Sequence, residues 1–158
     1  VETHGTYPLP NSQLDRFLVS MELGRPTPDQ DMEILNRWEQ GHTQTPPVLT
    51  TDDVATMQDS TRTVAVAQSV KQYIVNLAAA SRHQDQFTLG VSPRGSAAML
   101  RACQAWAAFD GRGFVVPEDV QYLAPHVWGH RVGVRGEAEM GSGRLAITEL
   151  LRSVPVPL

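Results

Sequence analysis

Two arginines stand where a permanently charged side chain could meet an anion. Arg16 lies in the tetrapeptide LDRF, near the end of a short predicted helix, and Arg94 lies in GVSPRGS, just before a longer one. Pro93 fixes the backbone ahead of Arg94, so the guanidinium is presented at a rigid helix start. A helix N-terminus favours negative charge, so an arginine there does not stabilise the helix dipole. The residues alone leave two interpretations open, an anion-binding arginine and a salt-bridged or solvated one.

The sequence lacks the usual motifs of nucleotide-binding, metal-dependent and hydrolytic enzymes. It contains no GxxxxGK[ST] phosphate loop, CxxC pair, HExxH or GxSxG motif, and its only lysine, Lys71, falls within a predicted helix. His126 and His130 have the spacing of metal ligands, but two histidines are too few for a zinc site. We expect capping or surface roles for them, and no metal. Cys103 lies on an apolar helical stripe and is expected to be a small core residue.

Length, charge and cysteine content exclude several classes of protein. A chain of 158 residues fits about one domain. With 41% hydrophobic and 19% charged residues it does not have the composition of a disordered protein. The net charge of −4 argues against nucleic-acid binding. One cysteine cannot form an internal disulfide and no run of 18 apolar residues could span a membrane, so we expect a cytoplasmic protein.

The elements that would position Arg16 are predicted from the first 43 residues. The pattern predicts a short helix over 11–17 and a half-buried strand over 18–23, in which apolar residues alternate. A second helix begins at the capping box of Thr27 with Gln30 and ends at Gly41. Its apolar stripe consists of Met32, Ile34, Leu35 and Trp38. We interpret Trp38, like Trp106, as a core or interface anchor.

The proline-rich segment 41–50 predicts a linker, and we divide the chain there into two domains, 1–43 and 44–158. The pattern beyond it is helical, so the fold class is mainly α. Pro125 is expected to begin a new turn rather than to continue a helix. The predicted elements of this part are helices over 52–62, 64–82, 96–110, 117–124 and 145–151, a short strand over 132–134 and a glycine-rich loop over 135–143.

Two segments of the chain resemble the MoxR family of AAA+ ATPases. GTYPLPNSQLDRF at 5–17 resembles the segment that follows the sensor-1 strand of the family. GVSPRGSAAMLRACQAWAAFDGRGFVVPEDVQYLAPHVWGHRV at 90–132 resembles the sensor-2 and lid region. The LDRF, SPR and GR-x-[FY]-V-x-PEDV motifs and the VPVP ending follow in the family's order, and the resemblance covers nearly the whole chain. The family's Walker A and Walker B motifs and sensor-1 Asn are absent, and the resemblance places them upstream of Val1.

The resemblance implies a fold and a role for each arginine. Residues 1–43 would be the end of the AAA+ core, a helix–strand–helix remnant, and residues 44–158 the helical lid. Arg16 would be the arginine finger, acting in trans on the γ-phosphate held by a neighbouring subunit. Arg94 would be the sensor-2 residue, acting in cis, with Pro93 and Ser92 beside it in the nucleotide-contacting turn. A guanidinium suits this chemistry because phosphoryl transfer spreads negative charge over the γ-phosphoryl oxygens.

The resemblance also implies a larger assembly. The parent protein is expected to hydrolyse ATP with Mg²⁺, to form a hexameric ring and to act as a chaperone-like remodeller with a von Willebrand A-domain partner or a maturation client. Without the Walker motifs, we expect this chain alone to be inactive and to hold no cofactor. A hypothesis of a different class is a self-standing helical module that binds a protein partner without nucleotide. An in-frame Walker A loop upstream of Val1 would favour the ATPase.

Overall fold

The computed structural model describes residues 9–41, 45–136 and 141–157. Over these ranges the chain is mostly helical, as the sequence predicts. The predicted domain boundary after residue 43, the GTYPLP letters before Leu9 and part of the glycine-rich loop lie outside the described residues. The elements are, in chain order, α1 (Asn11–Leu14), α2 (Pro28–Gln40), α3 (Thr51–Arg62), α4 (Gln68–His83), β1 (Phe87–Leu89), α5 (Pro93–Phe109), α6 (Pro117–Trp128), β2 (Gly133–Val134) and α7 (Ser142–Ser153).

Local signals at the helix ends explain where several helices begin and end. The predicted capping box of α2 is confirmed, since Thr27 N donates to Gln30 Oε1 at 2.9 Å and Gln30 N donates to Thr27 Oγ1 at 3.4 Å. Gly41 ends α2 and Gly111 follows α5, with φ values of +84° and +71° that favour glycine. These helix ends are therefore determined by a few neighbouring residues.

Helices α4 to α7 enclose the hydrophobic core. Large, fully buried side chains of these four helices include Tyr73 and Leu77 of α4, Met99 of α5, Val120, Val127 and Trp128 of α6, and Ile147 and Leu150 of α7, with the smaller Cys103 of α5 beside them. The expectation that Cys103 is a core residue is confirmed. Trp128 Nε1 donates to the carbonyl of Gly95 at 2.9 Å, which satisfies the polar atom of a buried indole and joins the end of α6 to the start of α5.

A two-stranded antiparallel sheet closes one side of this helical core. Phe87 of β1 pairs with Val134 of β2, and Leu89 pairs with Gly133. The predicted strand over 132–134 is confirmed, whereas β1 was not predicted. A strand of three residues offers too few alternating positions for a period of two to be recognised.

Two expectations about the elements are wrong. Residues 18–23 form no strand, and Val19 is 40% exposed while Leu23 is 92% exposed. The amide of Ser20 donates instead to the carbonyl of His126, because no neighbouring strand in the described part of the chain offers a ladder. Pro125 lies inside α6 rather than starting a new turn. The burial of flanking residues such as Leu123 along one face outweighs the missing backbone donor, which costs about 3 kcal/mol or more in a helix interior.

Helix α2 lies apart from the core. It packs against no other helix or strand of the described residues, and its predicted apolar stripe is exposed rather than buried. Trp38 is 70% exposed, so its interpretation as a core residue is wrong, and an interface role stays a prediction. Trp106 does pack against the core, where its ring stacks on Tyr122 with centroids 4.8 Å apart. No helix in the described ranges is both long and apolar enough to cross a bilayer.

Candidate functional site

Arg94 is the second residue of α5 and is exposed. Ser92 caps this helix, since its Oγ accepts from Gly95 N at 3.0 Å, and Pro93 occupies the first helical position. Within the described part of the chain, the Arg94 guanidinium has no ion pair or hydrogen bond. The salt-bridge interpretation therefore has no partner there. At the positive end of the helix dipole, the charge of such a guanidinium is stabilised by water alone. It is therefore available to bind an anion.

Arg16 lies just after α1 and is also exposed. Its amide donates to the carbonyl of Gln13 at 3.0 Å, which fixes the backbone in a turn. The side chain lines a surface pocket of about 420 Å³ together with Ser12, Gln13 and Phe17. Among residues 9–41, 45–136 and 141–157, its guanidinium likewise has no ion pair or hydrogen bond.

The structure brings the segments that carry these two arginines into contact. Ser92 Oγ lies 3.0 Å from both carboxylate oxygens of Asp15 and donates to that carboxylate. Asp15 immediately precedes Arg16, and Ser92 precedes Arg94 by two residues. The two backbones that present the free guanidinium groups are therefore joined by one hydrogen bond, although 77 residues separate its partners in the sequence.

A buried arginine that the sequence reasoning missed holds this junction together. Arg131 is only 5% exposed, and its Nη1 donates to Asp15 Oδ1 at 2.9 Å and to the Asp15 carbonyl. Its Nη2 donates to the carbonyl of Phe17, and its Nε donates to the carbonyl of Val127 at 2.8 Å. We call Arg131 and these acceptors the Arg131 cluster. Its position in GHRV, after a predicted helix where a cation is favourable, was a weak signal, but sequence alone does not show burial.

Further contacts keep residues 15–20 against the ends of α6 and α7. His130 Nε2 lies 2.9 Å from the carbonyl of Phe17, and Arg144 of α7 donates to the carbonyl of Ser20. Burial lowers the pKa of His130 below its usual value, so the ring is neutral at pH 7 and Nε2 can donate as a neutral N–H. The 15–20 segment is thus attached to the helical core although its apolar side chains are exposed.

The other candidate residues have structural partners. His126 packs beside Tyr122 with ring centroids 5.9 Å apart, so the two histidines of the candidate metal pair face different neighbours. No group of three or more metal-ligating side chains occurs in the ranges that the structure describes. Burial raises the pKa of the Cys103 thiol to about 12, which leaves it unreactive as a nucleophile.

The spacing of the residues in GR-x-[FY]-V-x-PEDV has a structural reason in this chain. Arg112 Nη1 and Nη2 donate to the two carboxylate oxygens of Asp119 at 3.0 and 2.7 Å, and Arg112 Nε donates to Asp110 at 2.9 Å. Asp119 also accepts from Val116 N at 2.9 Å. The pair ties the turn after α5 to the start of α6 and takes no part in the arrangement around Arg16 and Arg94.

The family of this fold is shown by comparison with known proteins. Residues 79–150 match the family model described as the AAA lid domain. This range starts within α4 and ends within α7, so it includes Arg94 and Arg131 but not Arg16. Residues 79–150 therefore form an AAA lid domain, and Arg94 at the start of α5 lies inside it.

The relatives extend the match to the rest of the chain. The uncharacterized protein YeaC of Bacillus subtilis is 37% identical over 162 residues, covering 100% of this chain, and Chaperone MoxR1 of Mycobacterium tuberculosis is 30% identical over 168 residues, covering 99%. A crystal structure from Cytophaga hutchinsonii, of a protein classed as an ATPase, superposes with a TM-score of 0.83 at 27% identity over 100% of this chain. These relatives confirm the resemblance of the chain to the MoxR family of AAA+ ATPases, which its LDRF and SPR motifs indicate.

The chain spans about half the length of the relatives it matches. It covers 51% of YeaC, 45% of MoxR1 and 52% of the Cytophaga hutchinsonii chain.

Proposed function

We propose that this chain supplies two γ-phosphate-contacting arginines to a MoxR-family ATPase. Arg94 contacts the nucleotide of its own subunit from the lid, and Arg16 contacts the nucleotide of a neighbouring subunit. The observation that carries the proposal is that Arg16 and Arg94 are exposed, that neither guanidinium has a partner among the described residues, and that the Asp15–Ser92 hydrogen bond joins the backbones that carry them. Structural arginines in the same chain, such as Arg112 and Arg131, have carboxylate partners.

The chemistry of phosphoryl transfer supports these roles. ATP with Mg²⁺ supplies the γ-phosphoryl group and the metal charge, and the protein supplies positioned cations. A guanidinium stabilises the charge that spreads over the phosphoryl oxygens, and its planar fork suits this geometry better than a lysine ammonium. Ser92 and Pro93 contribute by fixing the start of α5, since the Ser92 hydroxyl is already bonded to Gly95 and Asp15. Mg²⁺ binding is not assigned to any group of the described residues.

The proposed assembly follows from an arginine that acts in trans. A finger that reaches a neighbour's nucleotide requires a ring or a similar closed oligomer, and we propose a hexamer. The name of MoxR1 as a chaperone supports a chaperone-like remodelling role. The proposal also includes a von Willebrand A-domain partner or a maturation client, and a cytoplasmic location.

Alanine variants in the ATPase that contains this chain test the two roles. We expect Arg16→Ala to reduce turnover by a large factor, on the order of 10³–10⁵ by analogy with arginine fingers of GTPases, with little change in ATP affinity. Arg94→Ala is expected to reduce turnover and to weaken the response of the lid to the γ-phosphate. Neither variant should unfold, because neither side chain has a partner in the described residues.

Arg62→Ala is the matched control. Arg62 is also an exposed arginine, but it pairs with Asp59 on its own helix, so its removal should leave turnover unchanged. Normal turnover in both Arg16→Ala and Arg94→Ala would contradict the proposal. An unfolded Arg94→Ala lid, with normal turnover in the remaining folded protein, would make Arg94 a structural residue.

A second candidate function is protein binding without nucleotide chemistry. The exposed apolar stripe of α2 favours it, since Met32 is 59% exposed and Leu35 is 63% exposed, and a partner would cover such residues. The same two variants distinguish the functions, because partner binding by a pure interaction module would not change when Arg16 or Arg94 is replaced.

A further inference from the structure

Arg131 is absent from the proposed contacts with ATP, yet it is bonded to the residues on both sides of Arg16. Its Nη1 donates to the carboxylate and the carbonyl of Asp15, and its Nη2 donates to the carbonyl of Phe17. The Arg16 side chain between them is left exposed. Burying a guanidinium costs desolvation energy, which is offset only where several acceptors are held in place around it. Here most of those acceptors belong to one short segment, so the interaction also holds that segment in place.

We propose that Arg131 is a positioning residue that fixes the Arg16 segment to the lid, so that Arg16 and Arg94 move as one unit. This inference rests on the proposed function of Arg16, but the attachment itself can be measured without ATP. Arg131 would act through the backbone on either side of Arg16 and would not touch the nucleotide.

The geometry explains why an arginine is required at this position. The Nη atoms bind the 15–17 backbone, while Nε binds the carbonyl of Val127 at 2.8 Å, in the last turn of α6. Helix C-termini favour a positive charge, which helps to retain the guanidinium there. A lysine has one point of attachment and cannot bridge the two segments in this way.

The same cluster links Arg16 to Arg94. Asp15 Oδ1 accepts from Arg131 at 2.9 Å and from Ser92 Oγ at 3.0 Å, and Ser92 is the cap of the helix that begins at Pro93. A movement of the lid that follows the γ-phosphate at Arg94 would therefore carry Arg16 with it. The consequence is coupling between a subunit's own nucleotide and the finger that it offers to its neighbour.

Hydrogen exchange on the 158-residue chain tests the attachment directly. The Ser20 amide donates to the carbonyl of His126, so it reports whether residues 15–20 are docked. We expect Arg131→Gln to accelerate exchange of this amide by about tenfold or more, since hydrogen bonds of a charged group are among the stronger ones. Trypsin cleavage after Arg16 should accelerate by a similar factor.

Arg135→Gln is the matched control for this experiment. Arg135 is an arginine only four residues away, but its hydrogen bonds in the described part of the chain go to the carbonyls of Asp85 and Gln86 and none goes to residues 15–20. Its replacement should leave exchange at Ser20 unchanged. Equal exchange in Arg131→Gln, Arg135→Gln and the unchanged chain would overturn the inference.

A second variant addresses the case in which Arg131→Gln fails to fold. Asp15→Ala removes the acceptor shared by Arg131 and Ser92, and Asp15 is partly exposed and outside the hydrophobic core. We expect this variant to keep its helical circular dichroism and to release the 15–20 segment, with about fivefold or greater acceleration at Ser20. A folded Asp15→Ala chain with unchanged exchange would contradict the inference regardless of how Arg131→Gln behaves.

Turnover of the ATPase that contains this chain separates positioning from stability. We expect Arg131→Gln to lower kcat about tenfold or more with little change in KM for ATP, and Arg131→Lys to recover only part of it. If Arg16→Ala lowers kcat but a folded Arg131→Gln does not, the positioning role is refuted while the finger stands. If Arg131→Gln releases the segment and Arg16→Ala has no effect, the finger is refuted while the attachment stands.

Discussion

The Arg112–Asp119 pair of the GR-x-[FY]-V-x-PEDV motif is expected to stabilise the folded chain, and the size of this effect can be measured. Asp119 is only 4% exposed and accepts two hydrogen bonds from Arg112 and one from Val116 N. Arg112→Ala would leave this carboxylate buried with the backbone amide as its main partner. We therefore expect a clear loss of stability from the change of a single, partly exposed arginine.

The magnitude follows from the burial of the two partners. Breaking a fully buried ion pair costs about 3–5 kcal/mol, because one charge is left without compensation. The Arg112 side chain is 23% exposed, so water can reach the site, and we expect a smaller loss than for a fully buried pair, about 2–3 kcal/mol. For a chain of this size the loss corresponds to a fall in Tm of about 4–12 °C.

Urea unfolding followed by circular dichroism measures this effect, with Arg62→Ala as the control. Arg62 and Asp59 form an exposed pair, with side chains 66% and 76% exposed, whose loss should cost less than about 1 kcal/mol. Asp119→Asn combined with Arg112→Ala should be less destabilised than the sum of the single variants, because the buried charge is also gone. An Arg112→Ala cost as small as that of Arg62→Ala, at an unchanged m-value, would refute the reasoning.

Two further predictions concern buried titratable groups. Because burial raises the pKa of Cys103 to about 12, this thiol should not react with a thiol reagent at pH 8 in the native chain. In denaturant it should react once per chain, as followed by absorbance. Rapid labelling of the native chain would contradict its burial. Burial lowers the pKa of His130 in the folded state, so the unfolded chain binds more protons below about pH 7 and the free energy of unfolding should fall as the pH drops through about 6.5. His130→Gln should flatten that part of the stability profile in urea titrations, and an unchanged profile would show that His130 is not the group responsible.

The elements that the sequence predicts well depend on neighbouring residues. The capping box at Thr27 and the helix stops at Gly41 and Gly111 are determined by side chains and backbone conformations within a few positions. The start of α5 is also fixed by neighbouring residues, Ser92 and Pro93, although the sequence pattern predicts it three residues later. Local chemistry of this kind is visible in a sequence.

The features that the sequence does not predict depend on tertiary contacts. The apolar alternation over 18–23 satisfies the pattern of a strand, but a strand also needs a partner, and Ser20 finds the end of α6 instead. Local propensity predicts that a helix ends before Pro125, but the burial of one face of α6 keeps this proline inside the helix. Arg131 could be recognised as central only when its burial and its acceptors on Asp15 and Phe17 were known.

Arg16 is proposed to act on the nucleotide of a neighbouring subunit, and subunit mixing in the proposed full-length ATPase tests this role. One population carries Arg16→Ala, and the other carries an inactivated Walker B carboxylate with Arg16 intact. Each population alone should be inactive, and mixing them should restore turnover, because an intact active site can then combine a catalytic core from one subunit with a finger from the next. Mixtures that form hetero-oligomers but show no recovery at any ratio would contradict the account.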